Sequence, residues 1–387
     1  MPSKSTNTVV INRSFWPFYP VIGEALLKFA EDAVREGHAV SVVLQDHADI
    51  KASLESASRG EGVCFYPAKA WTTSASGINS RIIDSMFFTF WIIRTLLCIR
   101  PEKIYVSSDP PILVPFMIML YCRLFGASYI YHLQDIHPEA ANVVIPIHRW
   151  LYRILVKMDA LTMCRAESLI TITKQMADEI CFRSKTISPV HILSNPAISF
   201  ENIDLNKPKV AGFSFCGNFG RLQRIPLMLE AIEAYFIRGG KLKFTFAGGG
   251  VYAPQLQSFA NRYDLFDYCG FVDPADAAQI SANFTWALLP IEDKVTKYAF
   301  PSKTSSYVMS GAKILAICGL DTNVATWVSD YNVGVVVEPE KEKLISAFFS
   351  VENNTLDIIP DCSFREKLKG TLNFNFFVSE LKKIVFQ

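Results

Sequence analysis

Residues 211–237 read AGFSFCGNFGRLQRIPLMLEAIEAYFI, and this stretch decides the fold. Residues 211–216 have the composition of a β-strand, the chain then turns through Gly217 and Gly220, and residues 226–237 predict an apolar helix. A strand, a glycine turn and a helix in this order form the unit from which parallel sheets are built. We therefore expect a parallel α/β domain that begins near residue 211.

The same alternation extends in both directions from this stretch. Strand candidates precede it at 8–11, 39–44, 103–107, 128–132 and 168–171, and others follow at 242–247 and 286–290. Between the two series lies the polar segment SFENIDLNKPKV, residues 199–210, which has the composition of a linker. The sequence predicts an N-terminal domain at 1–198, a linker at 199–210, a second domain at 211–370 and a C-terminal helix at 371–387.

Composition excludes several classes of protein. The 38 basic and 37 acidic residues nearly cancel and form no basic block, so nucleic acid is not expected as a partner. The nine cysteines stand singly, as expected of buried apolar residues in a reducing compartment. The first twenty residues contain no continuous apolar stretch typical of a secretory signal, so we expect a cytoplasmic protein.

Two apolar stretches, 85–99 and 112–122, stand out in the first domain. Each is shorter than the roughly 20 residues that a membrane-spanning helix needs, and Arg94 and Arg123 interrupt or end them. They are predicted either as core helices or as a helix that lies in the membrane interface.

The turn after residues 211–216 has features of a phosphate site. Gly217, Asn218 and Gly220 would let backbone N–H groups approach an anion, and Arg221 would add a positive charge, with Gln223 following. An ordinary tight turn with a solvated arginine is the alternative.

A second glycine cluster, residues 248–253, formally fits the G-x-G-x-x-A pattern of dinucleotide-binding proteins. The pattern normally follows the first strand of its domain, whereas this one follows the second, so we treat it as a false positive for a dehydrogenase. Gly249 remains a candidate contact for a phosphate-bearing ligand.

A third candidate is Pro301-Ser302-Lys303, which leads into a helix predicted to stop at Gly311. Pro301 and Ser302 favour a helix start, so Lys303 would lie in a first turn, where backbone donors and its ammonium could share one anion. A solvated surface lysine is the alternative, although a first-turn lysine opposes the helix dipole.

Asp135, His137 and Glu139 follow the strand candidate at 128–132. Carboxylates and a histidine at the carboxyl end of a strand are suited to proton transfer or to binding sugar hydroxyls. Alternatively, Asp135 caps a turn and His137 is simply packed. A metal site is not predicted here, because no complete set of ligands can be identified.

Taken in this order, the segments resemble glycosyltransferase family 4, especially its bacterial O-antigen and capsule branch. The resemblance covers nearly the whole chain and is strongest at 217–223 with 229–231, and at 301–303 with Gly311. It is supported by 37–40, 108–111 and 135–139.

This resemblance implies a GT-B fold, in which two Rossmann-like domains face each other across a cleft and the C-terminal helix returns to the first domain. The second domain would bind a nucleoside-diphosphate sugar, and the sugar would be transferred with retention of configuration, without a cofactor or metal. Its implied donor contacts are Gly217, Asn218, Gly220, Arg221, Gln223, Gly249, Pro301, Ser302, Lys303 and Ser306. Cationic groups would then stabilise the leaving diphosphate.

The first domain would bind the acceptor, with Asp135, His137 and Glu139 as catalytic candidates. The resemblance implies a lipid-linked saccharide or an oligosaccharide as acceptor, and peripheral attachment to the inner face of the cell membrane.

The chain departs from the family at several positions. Two glutamates usual around the Phe-Pro turn are replaced by Tyr298 and Ser306, and neither residue can act as a carboxylate. Gln223 stands where a basic residue is common, Arg224 where glycine is usual, and His137 where tryptophan is frequent. Two alternatives therefore stay open: a catalytically weak GT-B subunit that partners another glycosyltransferase, and a nucleotide-sugar epimerase.

Overall fold

A computed structural model describes residues 6–19, 21–47, 49–72, 77–198, 200, 202–356 and 362–386. The chain forms two compact units, Met1–Asn195 with Asn375–Gln387, and Pro196–Phe374. Positions 199 and 201 of the predicted linker lie outside the described residues. Its other residues belong to the second unit.

This segment is fastened to the second unit by hydrogen bonds. The Asp204 N–H donates to Gln279 Oε1 over 2.9 Å. The Lys209 ammonium donates to the carbonyls of Ala282 and Ser310, 2.7 and 3.0 Å away. Residues 202–210 are thus a bound part of the second unit, a feature that their polar composition did not indicate.

The first unit is built on a parallel sheet. In the described part of the chain its strands are β1 (Asn7–Ile11), β2 (Ala39–Asp46), β3 (Cys64–Lys69), β4 (Lys103–Ser107), β5 (Ser128–Leu133), β6 (Ser168–Thr171) and β7 (Val190–Ile192). They lie in the order β3-β2-β1-β4-β5-β6-β7. The order reverses between β1 and β4, which creates a crevice at the carboxyl ends of these two strands.

Helices connect these strands. They are α1 (Ile22–Arg35), α2 (Ile50–Ala57), α3 (Ile78–Ile99), α4 (Leu113–Phe125), α5 (Glu139–Val144), α6 (Arg149–Arg165) and α7 (Lys174–Ser184). Because parallel crossovers are right-handed, the helices α1 and α2 cover one face of the sheet and α3, α4, α6 and α7 cover the other. In agreement, α3 contacts α4, α4 contacts α6, and α6 contacts α7.

The second unit repeats this plan. Its described strands are β8 (Val210–Cys216), β9 (Lys243–Ala247), β10 (Phe266–Tyr268), β11 (Phe284–Pro290), β12 (Lys313–Ile317) and β13 (Gly334–Val337), in the order β10-β9-β8-β11-β12-β13. All its strand pairs are parallel. The order reverses between β8 and β11, beside the glycine turn that follows β8. Two parallel, Rossmann-like α/β units confirm the predicted fold class.

The helices of the second unit are α8 (Ile225–Ile237), α9 (Ala253–Ala260), α10 (Pro274–Asn283), α11 (Asp293–Thr296), α12 (Lys303–Met309), α13 (Asn323–Asp330), α14 (Lys341–Glu352) and α15 (Cys362–Leu372). The core between sheet and helices is rich in aromatic rings, among them Phe213, Phe244 and Phe348, all fully buried. Their ring centroids lie 5.1–5.2 Å apart, which is typical of well-packed aromatic pairs.

The last helix, α16 (Phe374–Phe386), packs on the first unit. The Phe386 ring stacks on His38 and on Phe29 of α1, with centroids 3.9 and 5.7 Å apart. Leu381 is fully buried. The C-terminal helix therefore completes the core of the N-terminal unit, as the resemblance implied.

Helix α3 corrects the estimate of length made from the sequence. The helix has 22 residues, and Ser80–Ile99 is apolar and long enough to cross a membrane by length and composition alone. Length therefore does not exclude a span. However, α3 connects β3 to β4 and packs against β2 and β3, so it lies along the sheet of the first unit.

The cysteines are less buried than predicted. The eight described side chains are free thiols, and Cys64, Cys98, Cys181 and Cys269 are exposed. Cys122, Cys216 and Cys318 are the buried ones.

The packing of α16 generates a stability prediction. We expect Leu381→Ala to lower the free energy of unfolding of the first unit by about 2–5 kcal/mol, because it leaves a cavity between α16 and the core. Lys383→Ala, on the exposed side of the same helix, is the control and should change it by less than about 1 kcal/mol. Urea unfolding would measure both, and equal values for the two variants would contradict this role of α16.

Candidate functional site

The second unit brings two glycine turns together at the carboxyl edge of its sheet. The Gly217 N–H donates to the Ala247 carbonyl over 2.8 Å, and the Phe219 N–H donates to the Gly249 carbonyl over 2.7 Å. A Cβ on Gly248 would lie 1.9 Å from the Gly217 oxygen, and Gly248 has a φ of +136°. The residues of the G-x-G-x-x-A pattern thus serve the close packing of two turns, which supports its treatment as a false positive.

Lys303 reaches this pair of turns from the first turn of α12. A Cβ built on Gly217 would lie 2.7 Å from Lys303 Nζ, and Nζ lies 4.0 Å from the centroid of the Phe215 ring. Burial lowers the pKa of Lys303 to about 8. No carboxylate pairs with this ammonium in the part of the chain that the structure describes. A desolvated cation without a carboxylate partner among the described residues, next to a glycine turn, is a candidate site for an anionic ligand.

Other predicted donor contacts lie on the same two turns. The Asn218 side chain lies against Gly250, where a Cβ would be 2.7 Å from Asn218 Oδ1. The Gln223 side chain closes its own turn, because its Oε1 accepts from the Gly220 N–H over 3.1 Å. Arg221 is exposed, and no described carboxylate pairs with it. Of these side chains, Arg221 is the one available to a ligand as a cation.

Pro301 and Ser302 precede Lys303 at the start of α12, and Ser306 follows within the same helix. Ser302 precedes the first residue of α12 and is exposed, and its side chain makes no capping hydrogen bond. Ser306 lies one turn after Lys303 and is half-buried. The structure therefore places Lys303 and Ser306 on neighbouring turns of one helix.

Two carboxylates at this edge were missed by the sequence analysis. Arg224, in the left-handed region with a φ of 48°, forms ion pairs with Glu292 and Asp293 at 3.4 and 2.9 Å. Asp293 Oδ1 also accepts from the Gly319 N–H over 2.8 Å. Both acids follow β11, and no short motif in the sequence indicated them. The left-handed backbone at Arg224 also explains why glycine suits this position.

The first unit has polar groups at its own crevice. Arg13 follows β1 and pairs with Asp109, which follows β4, over 2.9 Å. Ser108 Oγ accepts from the N–H groups of Gln134 and Asp135 over 3.1 and 3.3 Å. These bonds fix the start of the loop that carries Asp135. Arg13 was missed by the sequence analysis, because a single arginine after a strand is not a signal.

Asp135 and His137 both titrate abnormally. Burial, together with the charge of Asp109, raises the pKa of Asp135 to about 6. Burial lowers the pKa of His137 to about 4, so this imidazole is neutral at physiological pH. Its Nδ1 is buried and has no hydrogen-bond partner among the described residues. Asp135 is therefore a carboxylate that can change its charge in a useful pH range.

Glu139 differs from the expectation of a free carboxylate. Its side chain is 7% exposed and forms an ion pair with Arg183 of α7. Arg183 also pairs with Asp159 and donates to the His137 carbonyl over 2.9 Å. Burial raises the pKa of Glu139, and the neighbouring Arg183 opposes that rise. This ion-paired cluster holds the 135–139 loop on the helices below it, which sequence spacing alone could not indicate.

A pocket of about 630 Å³ lies at the carboxyl ends of β2 and β3. Its lining includes Asp46, His47, Lys69 and Trp71, and the Trp71 side chain is 55% exposed. An exposed indole beside carboxylate and imidazole groups suits a sugar, whose apolar face packs on aromatic rings and whose hydroxyls need hydrogen bonds. No motif in the sequence indicated this pocket.

Within the described residues, no group of three or more His, Cys, Asp or Glu side chains is arranged to hold a metal ion.

Solved structures resemble this chain over nearly its full length. HepE of Anabaena, solved in complex with UDP, is 12% identical with a TM-score of 0.66, covering 98% of this chain and 99% of that one. An Escherichia coli trehalose-6-phosphate protein bound to UDP-2-fluoro glucose is 11% identical with a TM-score of 0.70, at the same coverage. The chain has the GT-B fold.

A glycosyltransferase and a probable glycosyltransferase are also similar to this chain. WaaG, a glycosyltransferase involved in lipopolysaccharide biosynthesis, has a TM-score of 0.64 at 12% identity and covers 98% of this chain and 99% of its own. By sequence, the chain is similar to the probable glycosyltransferase WbjE of Pseudomonas aeruginosa, 21% identical over 319 residues, which cover 77% of this chain and 78% of WbjE. No protein-family model matches. Sequence and structure thus both relate this GT-B chain to glycosyltransferases.

The contact between the two glycine turns gives a matched pair of variants. We expect Gly248→Ala to lower the free energy of unfolding by at least about 2 kcal/mol, because a Cβ there meets the Gly217 carbonyl. Gly249→Ala is the control, since no atom lies within 4 Å of its Cβ position. Denaturant unfolding would compare them, and a Gly248→Ala variant as stable as Gly249→Ala would refute the backbone contact.

Proposed function

We propose that this GT-B chain is a glycosyltransferase that moves a sugar from a nucleoside-diphosphate sugar to a saccharide acceptor, with retention of configuration, in surface polysaccharide biosynthesis. The observation that carries the proposal is the desolvated Lys303 ammonium against the Gly217 turn, without a carboxylate partner among the described residues. UDP is bound in the structure of the similar HepE, and WbjE is described as a probable glycosyltransferase.

The chemistry needs a group that stabilises the leaving diphosphate. Sugar transfer breaks the bond between the anomeric carbon and the diphosphate oxygen, so negative charge develops on that oxygen. Lys303 would bind this charge, and the exposed Arg221 would add a second cation from the same edge of the sheet. These two cations can stabilise the leaving diphosphate without a metal ion, so we propose a reaction without a metal or other cofactor.

Asp135 is our proposed partner of the acceptor hydroxyl. Ionised above about pH 6, it can accept the hydrogen bond of the attacking hydroxyl and then its proton. Glu139 is instead paired with Arg183, so we propose that it positions the 135–139 loop. The Trp71 pocket would bind other sugar rings of the acceptor.

We propose a lipid-linked saccharide as acceptor, with an oligosaccharide as the alternative, and a cytoplasmic protein attached to the inner face of the membrane. WaaG, the similar protein involved in lipopolysaccharide biosynthesis, supports this class of product. The exposed apolar side chains of α3, such as Phe90 at 66%, support a location beside lipid.

One observation favours a second candidate, a catalytically weak GT-B subunit. The two positions where the resemblance expects glutamates hold Tyr298 and Ser306, and the nearby acids Glu292 and Asp293 are engaged by Arg224. Such a subunit would bind a partner glycosyltransferase and show no donor turnover of its own.

We expect Lys303→Ala and Arg221→Ala each to reduce turnover about a hundredfold or more, because each removes a charge that stabilises the diphosphate. Lys241→Ala is the control, since Lys241 is exposed and lies at the amino end of β9, away from the glycine turns. Hydrolysis or transfer of labelled donor sugars would measure the rates. If both variants keep near-normal turnover, the diphosphate assignment fails.

The shifted pKa values of Lys303 and Asp135 predict a bell-shaped dependence of kcat/KM on pH. Lys303 is charged below about pH 8 and loses its charge above it, so kcat/KM should fall as the pH rises through about 8. Asp135 is ionised above about pH 6, so kcat/KM should fall as the pH drops through about 6. The assignment is decided by the pH profile of the residual activity of Asp135→Asn, whose kcat/KM should not fall as the pH drops through about 6. If kcat/KM of this variant still falls there, the titrating group is not Asp135.

A further inference from the structure

Two exposed aromatic rings of the first unit are each backed by another ring. The Trp71 indole stacks on Phe87, with centroids 4.5 Å apart and an interplanar angle of 27°. The Phe18 ring stacks on His47, with centroids 5.1 Å apart and an interplanar angle of 18°. Nevertheless, Trp71 is 55% exposed and Phe18 is 56% exposed. Each of these two rings therefore has one face covered by its neighbour and the other face open to solvent.

A buried carboxylate anchors the segment that carries Trp71. The hydroxyl of the next residue, Thr72, donates to Asp84 Oδ2 over 2.6 Å, and the Gln45 amide donates to Asp84 Oδ1 over 2.9 Å. The Asp84 side chain is 2% exposed, so water does not compete for these bonds. Because Gln45 belongs to β2 and Asp84 to α3, the segment is fastened to both elements. A ligand would meet an indole that is already held in place, which lowers the entropic cost of binding.

The two open faces lie along one edge of the sheet. The strands β3, β2, β1, β4 and β5 are neighbours in that order and are parallel, so the segments after them share the carboxyl edge. Trp71 follows β3, Phe18 follows β1, and Asp135 follows β5. At the usual spacing of neighbouring strands, β3 is about 19 Å from β5. A ligand that reaches from Asp135 to Trp71 is therefore longer than one sugar ring.

The pocket beside Trp71 has polar walls as well as the indole. Asp46, His47 and Lys69 belong to its lining. An apolar ligand would bury these groups without hydrogen-bond partners, whereas sugar hydroxyls can both donate to them and accept from them. An anionic ligand would face the carboxylates of Asp46 and Asp49, which also line the pocket, with Lys69 as the one cation of the lining. An uncharged saccharide suits both the open aromatic face and the polar walls.

We propose that this edge of the first unit binds an uncharged oligosaccharide of at least three sugar rings, with the reacting ring at Asp135 and two further rings on the open faces of Phe18 and Trp71. The inference deepens the proposed function and rests on it for the reaction at Asp135. Such an acceptor is the product of earlier glycosyl transfers, because a single sugar on its carrier cannot cover both aromatic rings. The chain therefore acts on a saccharide that other transferases have begun.

The first test measures saccharide binding in the absence of a donor. The full-length chain is titrated onto an array of immobilised oligosaccharides from bacterial surface polysaccharides, with one to five uncharged rings, and onto acidic oligosaccharides of the same lengths. We expect the affinity for uncharged saccharides to rise about tenfold or more between one ring and three, because each aromatic face adds stacking energy. Affinity should change little between three rings and five, and acidic oligosaccharides should bind more weakly.

A pair of phenylalanine variants tests the face at Phe18. Phe18→Ala should bind the trisaccharides about tenfold more weakly, because it removes one stacking surface. Phe182→Ala is the control, since Phe182 is 80% exposed in the last turn of α7, which leads to the amino edge of the sheet. This control should bind like the native chain. Both side chains are exposed, so both variants are expected to fold, and circular dichroism would check this.

A second pair separates stacking on Trp71 from its bulk. Trp71→Tyr keeps a flat aromatic face and should lose less than about threefold in affinity for the trisaccharides. Trp71→Leu keeps an apolar side chain without that face and should lose about tenfold. A role of Trp71 in the stability of the fold alone would not distinguish the two variants in this way.

Several results would overturn the proposal. These are no binding of any uncharged saccharide by the folded native chain, equal affinity for one ring and three, stronger binding of acidic oligosaccharides, or equal affinity of Trp71→Leu and Trp71→Tyr. Nucleotide binding by the same preparation separates this test from the proposed function. Saccharide binding without nucleotide binding would leave the saccharide site standing and sink the donor site, and the reverse result would do the opposite.

Discussion

The contact between two backbone turns organises the second unit. Gly217 and Gly248 approach so closely that a Cβ on Gly248 would lie 1.9 Å from the Gly217 carbonyl oxygen. Gly217 has no side chain, and a Cβ built on it would lie 2.7 Å from Lys303 Nζ, so the ammonium lies close to the Gly217 backbone. Without a carboxylate partner in the described chain, the desolvated cation is a site that an anion would complete. The proposed diphosphate chemistry depends on this arrangement.

The first unit depends on a different constraint, the burial of Arg183. Its guanidinium joins Glu139, Asp159 and the His137 carbonyl, and thereby ties the loop after β5 to α6 and α7. With that loop fixed, Asp135 is held near Asp109 in a desolvated position, which accounts for its raised pKa. The ion pair with Arg183 also buries Asp159, the one acid of α6, so the charged side chains on the outer side of that helix are all cationic. One buried ion-paired cluster therefore both positions the loop after β5 and removes a negative charge from the surface of α6.

The fold was predictable to a large extent, because hydrophobic periodicity and glycine turns are local signals. The strand after residue 210 and the turn at Gly217 follow from such signals, whereas the return of the C-terminal helix to the first unit was implied by the family resemblance. Other features depend on contacts between distant residues. Arg13 with Asp109, Glu139 with Arg183, and Arg224 with Asp293 each join segments far apart in sequence, so spacing could not reveal them. Similarly, the length of α3 was underestimated because polar residues at its start belong to the helix.

The most direct test of the central claim is a thermal-shift comparison of UDP, GDP and ADP with their nucleosides, uridine, guanosine and adenosine. A ligand that binds only the folded state must raise the apparent melting temperature. We expect one diphosphate to raise the melting temperature and the matching nucleoside to raise it much less, because the diphosphate is proposed to bind at Lys303 and the Gly217 turn. Equal shifts for diphosphate and nucleoside, or no shift with any diphosphate, would contradict it.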